Sequence, residues 1–181
     1  MERTVTQVAL FTALIAALGL IPQLTLAFGV PITAQSLGVM LCGTVLGARR
    51  GAYAALLFVG LVAIGLPLLA GGRGGLGLFT SPTAGFLIGF PIAAFVTGLV
   101  MERLNGINTG VAAGIAAVIG GVIVLYIFGI AGLAIVLEKT IVEAALLVTA
   151  FLPGDFIKAI LAGLITAALY RARPRSVLSR A

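Results

Sequence analysis

The strongest constraint on the fold is a succession of apolar runs from Val5 to Tyr170, broken at short intervals by arginine, glycine and proline. In lipid each backbone N–H and C=O must be paired within its own segment, so runs of this kind read as membrane helices. Charge supports the reading: 9% of the 181 residues are charged, against about 25% in a soluble domain. The expectation is an all-α integral membrane protein, one transmembrane domain over residues 1–181. Twenty-five glycines suit helices that pack closely in lipid.

Six spans can be placed, at about 5–21, 36–47, 52–69, 83–101, 111–130 and 155–170. A crossing helix needs about 20 residues, with a lower limit near 17. The second run falls short of that limit, so its neighbours are expected to shelter its ends, and a non-helical stretch around Gly29-Val-Pro31 precedes it. Glu2 and Arg3 precede a first run without an Ala-x-Ala ending, which reads as a retained helix and not a cleaved leader.

Residues 131–150 are long enough to span but carry Glu138, Lys139 and Glu143 in their middle. Each charge at bilayer centre costs about 2.5–3.5 kcal/mol on insertion scales. Lys139 and Glu143, spaced i,i+4, would pair on a helix. Six spans put both termini on one side with Arg3, Arg49, Arg50, Arg103, Arg171, Arg173, Arg175 and Arg180, leaving Arg73, Lys139 and Lys158 opposite. That asymmetry makes the termini cytoplasmic, and a seventh span would send four C-terminal arginines outward. Residues 131–150 are therefore read as an interfacial or partly inserted extracellular-side segment between the fifth and sixth helices.

Candidate binding residues gather on the outer side of this scheme. Ala70 to Phe90 read AGGRGGLGLFTSPTAGFLIGF. Glycines let backbone groups approach a ligand and permit positive φ, and Arg73 sets a five-donor fork among them. The stretch reads either as a loop closing over a small anionic molecule or as a hairpin whose arginine anchors at lipid headgroups. Asp155 and Lys158, three apart at the start of the last helix, share a face. Either Asp155 caps the helix and Lys158 snorkels, or the pair faces an interior cavity as acceptor and donor for a polar ligand.

Three stretches, in order and at family-like spacing, resemble the signature of the BioY family, the biotin-specific substrate-binding (S) components of energy-coupling factor (ECF) transporters. They are Gly71-Gly-Arg-Gly-Gly-Leu-Gly with Pro82-Thr-Ala-Gly85-Phe-Leu-Ile-Gly89-Phe90, Pro31-Ile-Thr-Ala-Gln35-Ser-Leu-Gly38, and Leu152-Pro-Gly-Asp155-Phe-Ile-Lys158. Ala84 departs slightly, standing where the family often has a second small or glycine-like residue. The resemblance implies high-affinity biotin binding in a prokaryotic cytoplasmic membrane, with Asp155 and Lys158 in the site.

Matched to biotin, Arg73 suits the carboxylate by bidentate geometry, Asp155 a ureido N–H, and Lys158 the ureido carbonyl or the carboxylate. The two ends of the ligand could be exchanged between these partners. Gln35, Ser81 and Thr83 offer neutral hydrogen bonds, Gly74 and Gly75 close backbone approach, and Phe79 and Phe86 walls for the ring. Ala9, Ala13 and Ala17 form a double A-x-x-x-A on the first helix, although Ala112, Ala116 and Gly120 repeat the spacing elsewhere. The resemblance implies that the first-helix stripe meets the coupling subunit, with two ATPase subunits beyond it.

Several functions fall away. Gly72-x-Gly74-x-x-Gly77 imitates a dinucleotide fingerprint, but it follows a membrane helix and has no acidic residue about 20 positions on. The chain holds no P-loop, no histidine and only five acidic residues, so ATP binding, zinc ligation and His-based catalysis are not expected, and no cofactor is. Its net charge of +6 is spread over short loops and is no nucleic-acid footprint. Cys42, alone, forms no intramolecular disulfide and reads as a small core residue. Three alternatives remain: an S component for another vitamin, a membrane enzyme using Asp155, Glu143 and Glu138 on a lipid-soluble substrate, or a ligand-free assembly subunit.

Overall fold

The computed structural model describes residues 2–180, the side chain of Arg3 excepted. Its helices are α1 (Glu2–Leu18), α2 (Gln35–Leu46), α3 (Ala48–Ala63), α4 (Ala84–Arg103), α5 (Thr109–Val136), α6 (Ile141–Val148) and α7 (Leu152–Ala172). A two-residue antiparallel pair, β1 (Leu24–Thr25) with β2 (Pro31–Ile32), links α1 to α2 in the register Leu24 to Ile32. The stretch before α2 is thus non-helical, as its Gly-Val-Pro sequence suggests.

Three helical stretches are long and apolar enough to cross a membrane: Ala84–Arg103, Thr109–Val136 and Ile141–Ala172, the last including a 3-10 turn between α6 and α7. The chain is a multi-pass membrane protein. Its outward surface is apolar, with Ile123, Ile127, Ile135, Ile160 and Leu164 all more than half exposed, which suits lipid and not water.

Short α2 lies at the centre. Eleven of its twelve residues are buried, and it touches α1, α3, α4, α5 and α7. A helix apolar all round is a core helix, and burial by neighbours explains why twelve residues suffice. Small residues make the packing possible. A Cβ on Gly85 would strike the Phe128 carbonyl of α5, and one on Gly98 would strike the backbone at the α2–α3 junction.

Two boundaries differ most from the sequence reading. The third helix stops at Ala63 instead of Leu69, because Gly65 takes a φ of 106° and Pro67, which cannot donate, follows. The fifth runs on to Val136 and contains a π-helical stretch, Ala117–Val124. The charges at 138–143 then fall at a turn. Glu138, Lys139 and Glu143 are all exposed, and Lys139 precedes the helix, so no i,i+4 pair forms. Glu143 instead completes a capping box, its Oε2 accepting from the Thr140 N–H at 2.8 Å while Thr140 Oγ1 accepts from the Glu143 N–H. The T-x-x-E spelling of that cap is a sequence signal that the charge argument passes over.

Candidate functional site

The three stretches singled out in the sequence meet at one end of the bundle. They line a cleft of about 520 Å³, open mouth included, together with residues of α5 and the turn before α7.

Its polar wall is built on the first two turns of α7. Asp155 and Lys158 form an ion pair of 2.8 Å, with side chains only 7% and 13% exposed. Asp155 is inside the helix, which begins at Leu152, so it is not the N-cap and its carboxylate is turned to other partners. Tyr126 Oη of α5 donates to Oδ2 at 2.7 Å. Ser36 Oγ of α2 donates to Oδ1 at 3.3 Å and accepts from Lys158 Nζ at 3.0 Å. Lys158 is therefore tied into the protein and not snorkelling. Four residues from three helices thus satisfy one another in an apolar setting, which is how a buried pair avoids the cost of an uncompensated charge.

The second polar element is the loop between α3 and α4. Leu69 and Arg73 exchange backbone bonds of 3.0 and 3.2 Å, with Gly71 and Gly72 at φ 78° and 69° making the turn. Arg73 Nε donates to the Ala70 carbonyl at 3.1 Å, and one terminal nitrogen to Thr83 Oγ1 at 3.4 Å. The remaining guanidinium N–H groups have no described protein acceptor and the residue lines the cleft. Partial desolvation lowers its pKa below the ordinary arginine value.

Gln35 lines the cleft but is committed elsewhere. It is 1% exposed; its amide donates to the Ile15 and Leu68 carbonyls at 3.2 and 3.0 Å, and its Oε1 accepts from the Ala70 N–H at 3.0 Å. One side chain therefore fastens the end of α1 and the arginine loop to α2. Gly19 is what lets it in: a Cβ there would lie 2.9 Å from Gln35 Nε2.

Of the other residues named from sequence, Thr83 and Phe86 line the cleft, while Gly74, Gly75, Ser81 and Phe79 do not. Gly74 abuts the Leu66 backbone, Gly75 takes a φ of 98°, and Ser81 Oγ donates to the Leu78 carbonyl at 2.7 Å. Phe79 packs against the main core. The apolar walls are Phe86, Phe90, Phe151, Leu125 and Val30. The rings of Phe86 and Phe151 lie 5.7 Å apart, and Phe28 meets Phe151 edge-on at 5.9 Å. Ser36, Tyr126 and Phe151 are not among the residues the sequence singles out, and only Tyr126, a lone hydroxyl-bearing ring in an apolar run, carries a signal there. Glu138 and Glu143 are not in the cleft wall, so the three carboxylates of the enzyme alternative do not share it.

Ala9, Ala13 and Ala17 are exposed on one face of α1. The rival spacing behaves oppositely: Ala112 and Ala116 are fully buried, and a Cβ on Gly120 would meet Thr97 and the Ala93 carbonyl of α4.

The sequence matches the family model described as BioY family over residues 2–175. It is 52% identical to a biotin transporter BioY of Rhodobacter capsulatus, covering 99% of this chain and all of that one. A biotin transporter BioY of Rhizobium etli is 55% identical, over 90% of each chain. Among solved structures, the S-component for biotin from an ECF-type ABC transporter superposes with a TM-score of 0.88 at 32% identity, over 94% of this chain and 92% of that one.

Proposed function

The chain belongs to the BioY family, and we propose on that premise that it binds biotin in the cleft at the head of α7. It serves biotin uptake as the substrate-specific S component of an ECF-type transporter and is not an enzyme. One observation carries the assignment of the site: the Asp155–Lys158–Ser36 network, with Tyr126 bonded to Asp155 from behind, and the partly unsatisfied Arg73 line the same apolar cleft.

Biotin brings two ureido N–H donors, a ureido carbonyl, a carboxylate and an apolar ring with an alkyl tail. Asp155 accepts from a ureido N–H, Lys158 donates to the ureido carbonyl, and Arg73 with Thr83 receives the carboxylate. The bicyclic ring lies against Phe86 and Phe151. Gln35 acts by positioning the arginine loop. Gly74, Gly75, Ser81 and Phe79 support that loop from behind.

In the membrane the chain makes six spans, with α1, α2 and α3 joining the three longer stretches; the burial of α2 on all sides supports counting it despite its length. The termini are cytoplasmic and the cleft opens outward, as the arginine distribution favours. Ala9, Ala13 and Ala17 meet a membrane coupling subunit, through which two ATPase subunits supply energy. Their exposure on one face supports this.

Titration of the purified chain with biotin, read by calorimetry, tests the reading. Saturable binding of one biotin per chain is expected. Heat from another vitamin and none from biotin would replace the ligand.

A further inference from the structure

The geometry points to a phospholipid site: the trough between α5 and α7, at the end of the bundle away from the cleft, holds one anionic phospholipid, its phosphate at the arginines and an acyl chain along the floor. Two depressions on this helix pair make up the trough.

The first is lined by Asn105, Asn108, Thr109, Tyr170, Arg171 and Arg180. No carboxylate is among its described lining residues, and among the described residues the only ion pair is Lys158 with Asp155. Arg180 is held as one wall. Its guanidinium donates to the Leu104 carbonyl at 2.8 Å and more weakly to Asn105 Oδ1 and the Ile107 carbonyl at 3.4 Å, and its buried Nε has no partner. Arg171 is exposed across from it. The positive end of α5, a 28-residue helix, opens into the same space, its Gly110 and Val111 N–H groups capped by Asn108 Oδ1. Two guanidinium groups and a phenol at the positive end of a helix, with no acid between them, form a donor set for a phosphate.

The second depression has no polar side chain in its lining: Gly114, Ile115, Val118 and Ile119 of α5 face Phe156 and Ile160 of α7. Counted from the arginines, these residues lie about 10–20 Å deeper along the helices. Between the two depressions the helices touch through Gly110 and Gly163, where a Cβ on Gly163 would lie 2.7 Å from the Gly110 carbonyl oxygen, so no side chain stands up there. Val111 and Leu164, 54% and 62% exposed, form the rims. A free anion would need the basic end alone. A phospholipid uses both parts, in the order a bilayer presents them.

The test uses the full chain, delipidated in detergent. Native mass spectrometry and thermal unfolding are followed on adding dioleoyl-phosphatidylglycerol, phosphatidylcholine with the same chains, or inorganic phosphate. One retained phosphatidylglycerol and a raised unfolding temperature are expected, with phosphatidylcholine about tenfold weaker and phosphate giving little shift. Arg171→Gln should weaken phosphatidylglycerol retention about tenfold without altering the lipid-free unfolding temperature. Gly114→Leu should weaken it too by filling the floor. The fold accommodates that residue, since the nearest atom to a Cβ there is the Ala159 carbonyl oxygen at 3.9 Å. Equal retention of the two lipids, or retention unchanged in both variants, overturns the proposal. A phosphate shift equal to that of phosphatidylglycerol also overturns it, in favour of a soluble anion.

Discussion

At the level of single residues, Asp155 and Lys158 depend on each other and on two hydroxyls. Removing one member of a desolvated charge pair costs about 2–5 kcal/mol, much of it from the charge left behind. Asp155→Asn and Lys158→Ala are each expected to weaken biotin binding at least about thirtyfold, while Arg49→Ala, outside the cleft, leaves calorimetric affinity unchanged. Wild-type affinity in both cleft variants would return the pair to a purely structural role. Tyr126→Phe removes one hydrogen bond to a carboxylate and should cost less, about tenfold. Charges and an arginine in an apolar chain stand out, so Asp155, Lys158 and Arg73 are legible in the sequence. Ser36 is not, and Tyr126 only as a hydroxyl in an apolar run, because each comes from another helix and its inward aim depends on how that helix is rotated. Gln35 is legible as a polar residue at the right place, but its saturation by three backbone groups is a property of the assembled loop.

Among the elements, α1 offers the sharpest contrast. Its alanine stripe is exposed, whereas Thr12 and Ile15 on the other side are 4% and 0% exposed and Thr12 Oγ1 donates to the Ala54 carbonyl of α3 at 2.9 Å. Ala13→Trp is therefore expected to preserve biotin affinity in the isolated chain and to abolish co-purification with the coupling subunit. A bulky change at Leu14, about 100° round the helix, is the control. Equal loss at both positions would mean general disruption, and intact assembly with tryptophan at 13 would remove the stripe from the interface. The spacing of small residues is visible in sequence, but which of two such sets faces outward is decided by packing. Helix ends were legible where proline or a charge stops a run, and less so at α3 and α5, where glycine geometry and a capping box set the limits.

Across the whole molecule, hydropathy and arginine counting lead to a bundle with its polar groups at two ends, and the described structure has that layout. The cleft residues share one end, and Arg180 with the α4–α5 loop lies at the other. Sidedness is open to a direct check. Cysteines introduced at Arg175 and at Gly75, probed on whole cells with a membrane-impermeant thiol reagent, should label at position 75 alone. Labelling at 175 would invert the topology. The central placement of α2 was beyond the sequence, since a short apolar helix reads alike whether it is sheltered or merely truncated.

The π-helical stretch of α5 changes what a deletion does to this protein. A π turn closes i to i+5 where an α turn closes i to i+4, so it holds an additional residue without turning the helix beyond it. Deleting one residue from ordinary α-helix rotates everything downstream by about 100°, which would carry Tyr126 away from Asp155. Deleting Val118, a partly exposed member of the π stretch, lets the helix close as plain α while Ala112 and Tyr126 keep their bearings. Such a chain is expected to fold and bind biotin. Shortening of the gene by one codon is thus tolerated at this stretch.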